Sequence, residues 1–179
     1  STTADNQSSV SITDNITVTF SEAMDTNYVT TSTADTNCAG TIRVSSDNFS
    51  SCVKMTSEPV SSNSNKTFTL DPYDNLTRLT TYKTRVTTGV KDTAGNTMSS
   101  QYETSSGFTV PDTTAPANPG IIINGGDNVA YSDNVTLSLS ATDAVGVTGY
   151  YASENSTVST SGWSIVDSAT TFSDNVSFT

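Results

Sequence analysis

The chain has 179 residues, 33% of them apolar and 14% charged, with 18 acids against 7 Lys and Arg, no His, and a net charge of −11. That balance excludes a nucleic-acid binder, which needs a basic surface to displace counterions, and it disfavours an anionic membrane. The missing imidazole removes Ser-His-Asp and Cys-His nucleophile pairs and His-liganded zinc.

The length suits one large or two small domains. Ser and Thr make up roughly a third of the chain and Asp far outnumbers Glu, a composition of wet-faced strands and many turns rather than helices. No apolar run approaches the ~18 residues needed to span a bilayer. The opening Ser1-Thr2-Thr3-Ala4-Asp5 has neither the basic nor the apolar segment of a secretory signal; if the protein is secreted, that signal lies upstream or has been removed.

Taken in order, predicted strands cover Val10–Ile12, Ile16–Phe20, Thr41–Val44, Val53–Met55, Thr67–Leu70, Tyr82–Thr87 and Gly107–Val110. In the second of these, Ile16, Val18 and Phe20 alternate with Thr17 and Thr19, so one face is apolar and the other wet. Met24 to Val29 is one helical turn at most. Turn clusters such as Ser61-Ser62-Asn63-Ser64-Asn65 and Asp71-Pro72-Tyr73-Asp74-Asn75 punctuate the strands. A spacing near ten residues is the signature of a β-sandwich. Cys38 and Cys52 bracket one predicted strand. In an acidic Ser/Thr/Asn-rich chain they favour a disulfide over two free thiols. The bridge closes a loop of about 15 residues, adds roughly 3 kcal/mol in the chain-entropy picture and implies an oxidising compartment.

Three prolines between Pro111 and Gly120 cannot join a central sheet and mark a short, stiff boundary. Beyond it, strands are predicted at Ile121–Ile123, along Asp133 to Asp143 with Val135, Leu137, Leu139 and Ala141 alternating, and at Val147–Tyr151, Trp163–Val166 and Asn175–Phe178. Asp14-Asn15-Ile16, Asp133-Asn134-Val135 and Asp174-Asn175-Val176 repeat one grammar of turn pair and alternation. The second segment spans about 68 residues where a whole sandwich needs about 100, so its last strands are expected to be missing or supplied by a neighbouring chain.

Two passages carry a resemblance. Ile16-Thr17-Val18-Thr19-Phe20-Ser21-Glu22-Ala23-Met24-Asp25 and Val90-Lys91-Asp92-Thr93-Ala94-Gly95-Asn96 resemble the opening strand and closing turn of the bacterial Ig-like domain of the SbsA type. Asp112-Thr113-Thr114-Ala115-Pro116 is similar to the step that opens the next module in tandem Ig-like surface proteins. The run from Val135 to Tyr151 resembles a further Ig-like repeat. The resemblance implies a structural part of a bacterial surface or adhesin-like protein, outside the cell.

Candidate chemistry is sparse. No phosphate-cradling motif occurs, and no acidic pair sits in an aromatic-rich cleft motif of the kind that hydrolyses sugars. A Lys–Asn cross-link needs a buried lysine; Lys54 and Lys83 are the only lysines on predicted strands, and both read as surface residues. Calcium is the sharper expectation, since it takes oxygens from carboxylates, amides and carbonyls. Asp92 and Asn96 flank a glycine able to turn their oxygens to one side, Asp112 lies at the step where the resemblance implies calcium-stiffened joints, and Asp143 ends a strand and reaches toward the same pole. The alternative for Asp92 is a self-bonded Asx-turn. Sequons place candidate N-glycans at Asn6, Asn15, Asn48, Asn65, Asn75, Asn134, Asn155 and Asn175. Tyr150, Tyr151 and Trp163 form the only aromatic cluster. Strand alternation puts the tyrosines on opposite faces, and Trp163 reads as core.

The expected architecture is therefore all-β: tandem Ig-like sandwiches over residues 1–111 and 112–179, the second incomplete. The expected role is a non-enzymatic extracellular spacer with no membrane insertion. Its partners are neighbouring modules, identical subunits, a glycan or a host surface. Alternatives are a filament or surface-layer subunit assembling by strand donation and a carbohydrate-binding accessory module.

Overall fold

A computed structural model describes residues 3–155, 157 and 160–179. The chain is all-β, and its only helical elements among the described residues are two 3-10 turns, at Thr26–Tyr28 and Asn124–Gly126. It divides into two compact units, Ser1–Pro111 and Asp112–Thr179.

Among its described residues the first unit carries seven strands: β1 (Ile16–Thr19), β2 (Ile42–Ser45), β3 (Val60–Ser62), β4 (Thr67–Leu70), β5 (Thr80–Val86), β6 (Tyr102–Glu103) and β7 (Phe108–Val110). One sheet has the order β1-β4-β3; the other has the order β2-β5-β6, with β7 also on β5. All pairings are antiparallel. Period-two alternation decides which side of each strand is buried. Ile16 from β1 and Phe68 and Leu70 from β4 share one core with Ile42 and Val44 from β2, Tyr82 and Val86 from β5, and Phe108 and Val110 from β7. Most of these side chains are fully sealed from solvent.

Two aromatic contacts fix distances inside that core. Phe20 meets Phe68 edge-on with centroids 5.7 Å apart, and Tyr82 stacks on Phe108 at 5.6 Å. The Tyr82 hydroxyl accepts a hydrogen bond from the Thr77 amide at 3.0 Å. A ring thus anchors the chain entering β5, in the manner of a tyrosine corner.

Several predicted elements shift. Val10–Ile12 forms no strand: Val10 is sealed in the core, but its amide makes only a long bond to the Thr109 carbonyl. Val53–Met55 contributes a single bridge, Met55 to Pro72, because a proline partner supplies no amide to extend a ladder. Ser61 and Ser62, assigned to a turn, lie in β3, and the turn is confined to Asn63, Ser64 and Asn65, all left-handed. The two-residue strand β6 was not anticipated, having too few residues to show a period.

Among its described residues the second unit forms one antiparallel sheet with the order β10-β9-β8: β8 (Ala117–Ile123), β9 (Val135–Tyr150) and β10 (Ser164–Phe178). Pro119 lies inside β8 rather than in a free linker. The ladder accepts it because β8 is an edge strand and its register slips between Ala117 and Gly120. The four strands predicted from Asp133 onward are the two ends of β9 and of β10. Each long strand breaks its ladder midway, at the register shifts flanking Ala169. Leu137, Val147 and Phe172 are buried, and Tyr150 stacks on Phe172 at 6.1 Å. Ile121, Ile122, Ile123 and Ile165 stay exposed, the last by 83%.

Removing the Tyr82 hydroxyl should leave the Thr77 amide unpaired. Tyr82→Phe is expected to lower the unfolding free energy by about 1 kcal/mol in urea titration, and Phe68→Ala by about 3–5 kcal/mol. An unchanged urea midpoint for Phe68→Ala would contradict this core.

Candidate functional site

Most carboxylates of interest organise turns. The two passages behind the family resemblance lie side by side: Met24 bridges Asp92, the Asp25 amide donates to the Lys91 carbonyl, and the Thr93 amide to the Ala23 carbonyl. Asp92 then closes its own turn. One carboxylate oxygen accepts from the Ala94 and Asn96 amides, at 2.9 and 2.8 Å, and the other from the Asn96 side-chain amide at 2.7 Å. The Asn96 side chain is the main reason the Asp92 carboxyl lies below its usual range, with the Asn96 amide next. Gly95 supplies the left-handed residue the turn requires, at φ 92°. Asp92, Asn96 and Glu22 line a small cleft of about 170 Å³, but both Asp92 oxygens already have donors.

Asp112 and Asp143 belong to the second unit. They line one cleft of about 410 Å³ there, with Thr114, Thr148 and Trp163 among the other walls. Asp112 accepts from the Thr114 amide at 2.9 Å. Asp143 is only 8% exposed. Its Oδ1 accepts from the Val145 and Gly146 amides, at 2.8 and 2.9 Å, while its Oδ2 is buried without a partner among the described residues. The Gly146 amide, then that of Val145, holds this carboxyl below its usual range. The structure thus pairs Asp92 with Asn96 and Asp112 with Asp143, in different units. Among the described residues no three His, Cys, Asp or Glu side chains gather as a metal cluster.

Two further carboxylates escaped sequence reasoning. Asp5 reaches across the chain to accept from the amides of Ser105, Ser106 and Gly107 and from the Ser105 hydroxyl, the last being the largest cause of its lowered pKa. Gly107 sits at φ 76°, where a Cβ would collide with the Tyr82 carbonyl. Asp47 accepts from the Ser51 hydroxyl and amide and from the Ser45 hydroxyl. These bonds, Ser51's first, bring its pKa from 3.8 down to about 2. Asp47 thereby shapes the loop that delivers Cys52 to its disulfide with Cys38. A local Ser-x-Asp signal exists for Asp47; nothing local foretells Asp5, whose partners lie a hundred residues on.

The other candidates are surface features. Lys54 lies over the Tyr73 ring at 4.2 Å, and Lys83 faces Glu103 at 3.8 Å while Arg85 grips the same carboxylate at 2.8 Å. Asn6, Asn15, Asn48, Asn75, Asn134, Asn155 and Asn175 are exposed and Asn65 is half-buried. Trp163 is not core: it is 48% exposed and tilted against Tyr151 at 5.9 Å, because the described residues of its unit form a single sheet with no second layer to cover it. A groove of the first unit, about 400 Å³, runs along β1 past Val18, Phe20, Val86, Met98 and Tyr102. Its one carboxylate is Asp5, already engaged as a loop cap.

The sequence profile of the family described as bacterial Ig-like domain matches residues 1–110, the extent of the two-sheet unit. The chain belongs to that family. Bacterial Ig-like domains are commonly surface-exposed and typically non-catalytic. No curated protein and no solved structure matches the chain. Among the described residues of this Ig-like chain, no helix is long and apolar enough to cross a membrane.

The capped carboxylates tie stability to acid. With the folded pKa of Asp47 below its ordinary value, its contribution is present above about pH 4 and is lost as pH falls through about 2. The thermal midpoint should therefore drop across that window, and Asp47→Asn should flatten the drop. A midpoint constant from pH 4 to pH 2 would refute the account. Separately, reducing the disulfide or replacing both cysteines with Ala should cost roughly 3 kcal/mol, read by urea titration.

Proposed function

We propose that this chain is a non-enzymatic structural and spacer part of a bacterial protein displayed outside the cell. The observation that carries the reading is the family match over the whole first unit, joined to a sealed core and a disulfide. Such a unit keeps its shape without a partner, and its bridge suits an oxidising exterior. The absence of histidine and the engagement of Asp5 in its groove support a role without catalysis. The SbsA-type resemblance of Ile16–Asp25 and Val90–Asn96 supports membership in a surface assembly.

A second reading has an observation of its own. We take the second unit to be part of a further Ig-like sandwich. Ile121, Ile122 and Ile123 are consecutive on β8, so both faces of this edge strand are apolar, and all three are exposed. A strand apolar on both faces belongs in a sheet covered on both sides, and its free edge is a template for another strand. That favours assembly between identical subunits or neighbouring modules. The tilted Tyr151–Trp163 pair presents no flat row of rings, which leaves a glycan partner as the weakest of the three readings.

Sedimentation of the purified chain over a wide concentration range separates them. A spacer stays monomeric throughout, and protease treatment of intact cells releases it. Concentration-dependent linear polymers that disappear in Ile122→Lys would replace the spacer reading with strand donation. Retention on a polysaccharide column by the wild type and not by Trp163→Ala would replace both.

A further inference from the structure

The second unit contains no Lys, Arg or His: all seven basic residues, from Arg43 to Lys91, lie in the first. It carries seven acids, Asp112, Asp127, Asp133, Asp143, Glu154, Asp167 and Asp174. No side chain of this unit can therefore neutralise a buried carboxylate within it.

Asp143 is such a carboxylate. Thr142 pairs with Thr171 and Val147 with Ala169, so residues 143–146 of β9 bulge opposite Thr170 alone. The bulge frees backbone amides, and Asp143 Oδ1 takes two of them, from Val145 and Gly146. Gly146 holds φ 133°, and a Cβ there would strike the Ser168 hydroxyl, so the bulge requires glycine. These amides satisfy Oδ1 and keep the group ionised near neutrality. They leave Oδ2 buried with no donor among the described residues. An orphan anionic oxygen in that setting is costly, and an ion is one of the few things that relieve it.

We propose that the cleft between Asp143 and Asp112 in the second unit binds a hard divalent cation of the calcium class. Asp143 Oδ2 and the Asp112 carboxylate supply the charge. Thr114 and Thr148, which also line the cleft, bring neutral hydroxyl and carbonyl oxygens, and water completes the six to eight ligands calcium takes. An all-oxygen donor set excludes metals that need thiolate or imidazole. Calcium tolerates the irregular geometry of a bulge better than magnesium, which demands a near-ideal octahedron. The Asp92 turn, with donors on both oxygens, has no orphan oxygen of this kind. The cation site depends on the second unit alone and stands whether or not the chain polymerises.

Trp163, the single tryptophan of the chain, lines the same cleft and reports on it. Titrating the full chain with calcium should change its fluorescence saturably, with a Kd on the order of 10⁻⁴–10⁻³ M, and terbium at the site should emit on excitation of the indole. Asp143→Asn keeps an acceptor for the two amides but loses the charge; it should weaken binding about tenfold or more, with circular dichroism confirming the fold. Asp112→Asn, outside the bulge, should weaken it in the same direction, while Asp92→Asn should leave it unchanged. Three results would overturn the site: no saturable response into the millimolar range, equal loss in Asp92→Asn, or saturation by magnesium at the same concentration.

Discussion

Burial of the residues that alternate along β1, β4 and β5 is the constraint on which the first unit depends. Only a third of the chain is apolar, so each inward position counts. Ile16, Phe68, Leu70, Tyr82 and Val86 are spent on one shared interior with Ile42, Val44 and Phe108. With apolar burial stabilising at roughly 25 cal/mol per Å², sheets this short hold only because both inner faces are complete. The outer faces carry Thr and Ser together with the Lys83, Arg85 and Glu103 charges. Cross-strand pairs such as Thr19–Thr67 and Thr81–Thr109 hydrogen-bond there without adding apolar surface.

A second economy runs through the loops. Asp5, Asp47, Asp92 and Asp143 each gather backbone amides that no strand partner takes. In a turn-rich chain this replaces the helix ends that would otherwise absorb acidic residues. The four differ in one respect. Asp5, Asp47 and Asp92 divide their donors between both oxygens, whereas Asp143 places all of them on one. The same turn chemistry therefore produces three closed caps and one open oxygen.

Strands were legible where alternation ran for four residues or more, as at Ile16–Thr19 and Thr67–Leu70, because burial on one face writes a period of two into the sequence. The family was legible in two short passages, Ile16–Asp25 and Val90–Asn96, which the fold brings into contact. Short or bridged pieces were not legible. Tyr102–Glu103 is too brief to show a period, Met55 meets a proline, and Val10 is buried by packing against β7 rather than by a ladder of its own. At the candidate site, oxygen-rich turns were readable as residue types. Which oxygen lacks a donor was not, since that depends on a register shift between β9 and β10. Trp163 was misplaced for a related reason: apolar character announces a wish for cover, not whether a second layer is there to give it.

The Cys38–Cys52 bridge has a consequence for a chain under tension. Its 14-residue span is tied off at a Cα separation of 5.0 Å. When the first unit is pulled apart end to end, that span pays out none of the roughly 40–45 Å of contour its extended backbone would add. The bridge also carries load directly from one flank of the loop to the other, so the backbone of β2 inside it is bypassed by the force.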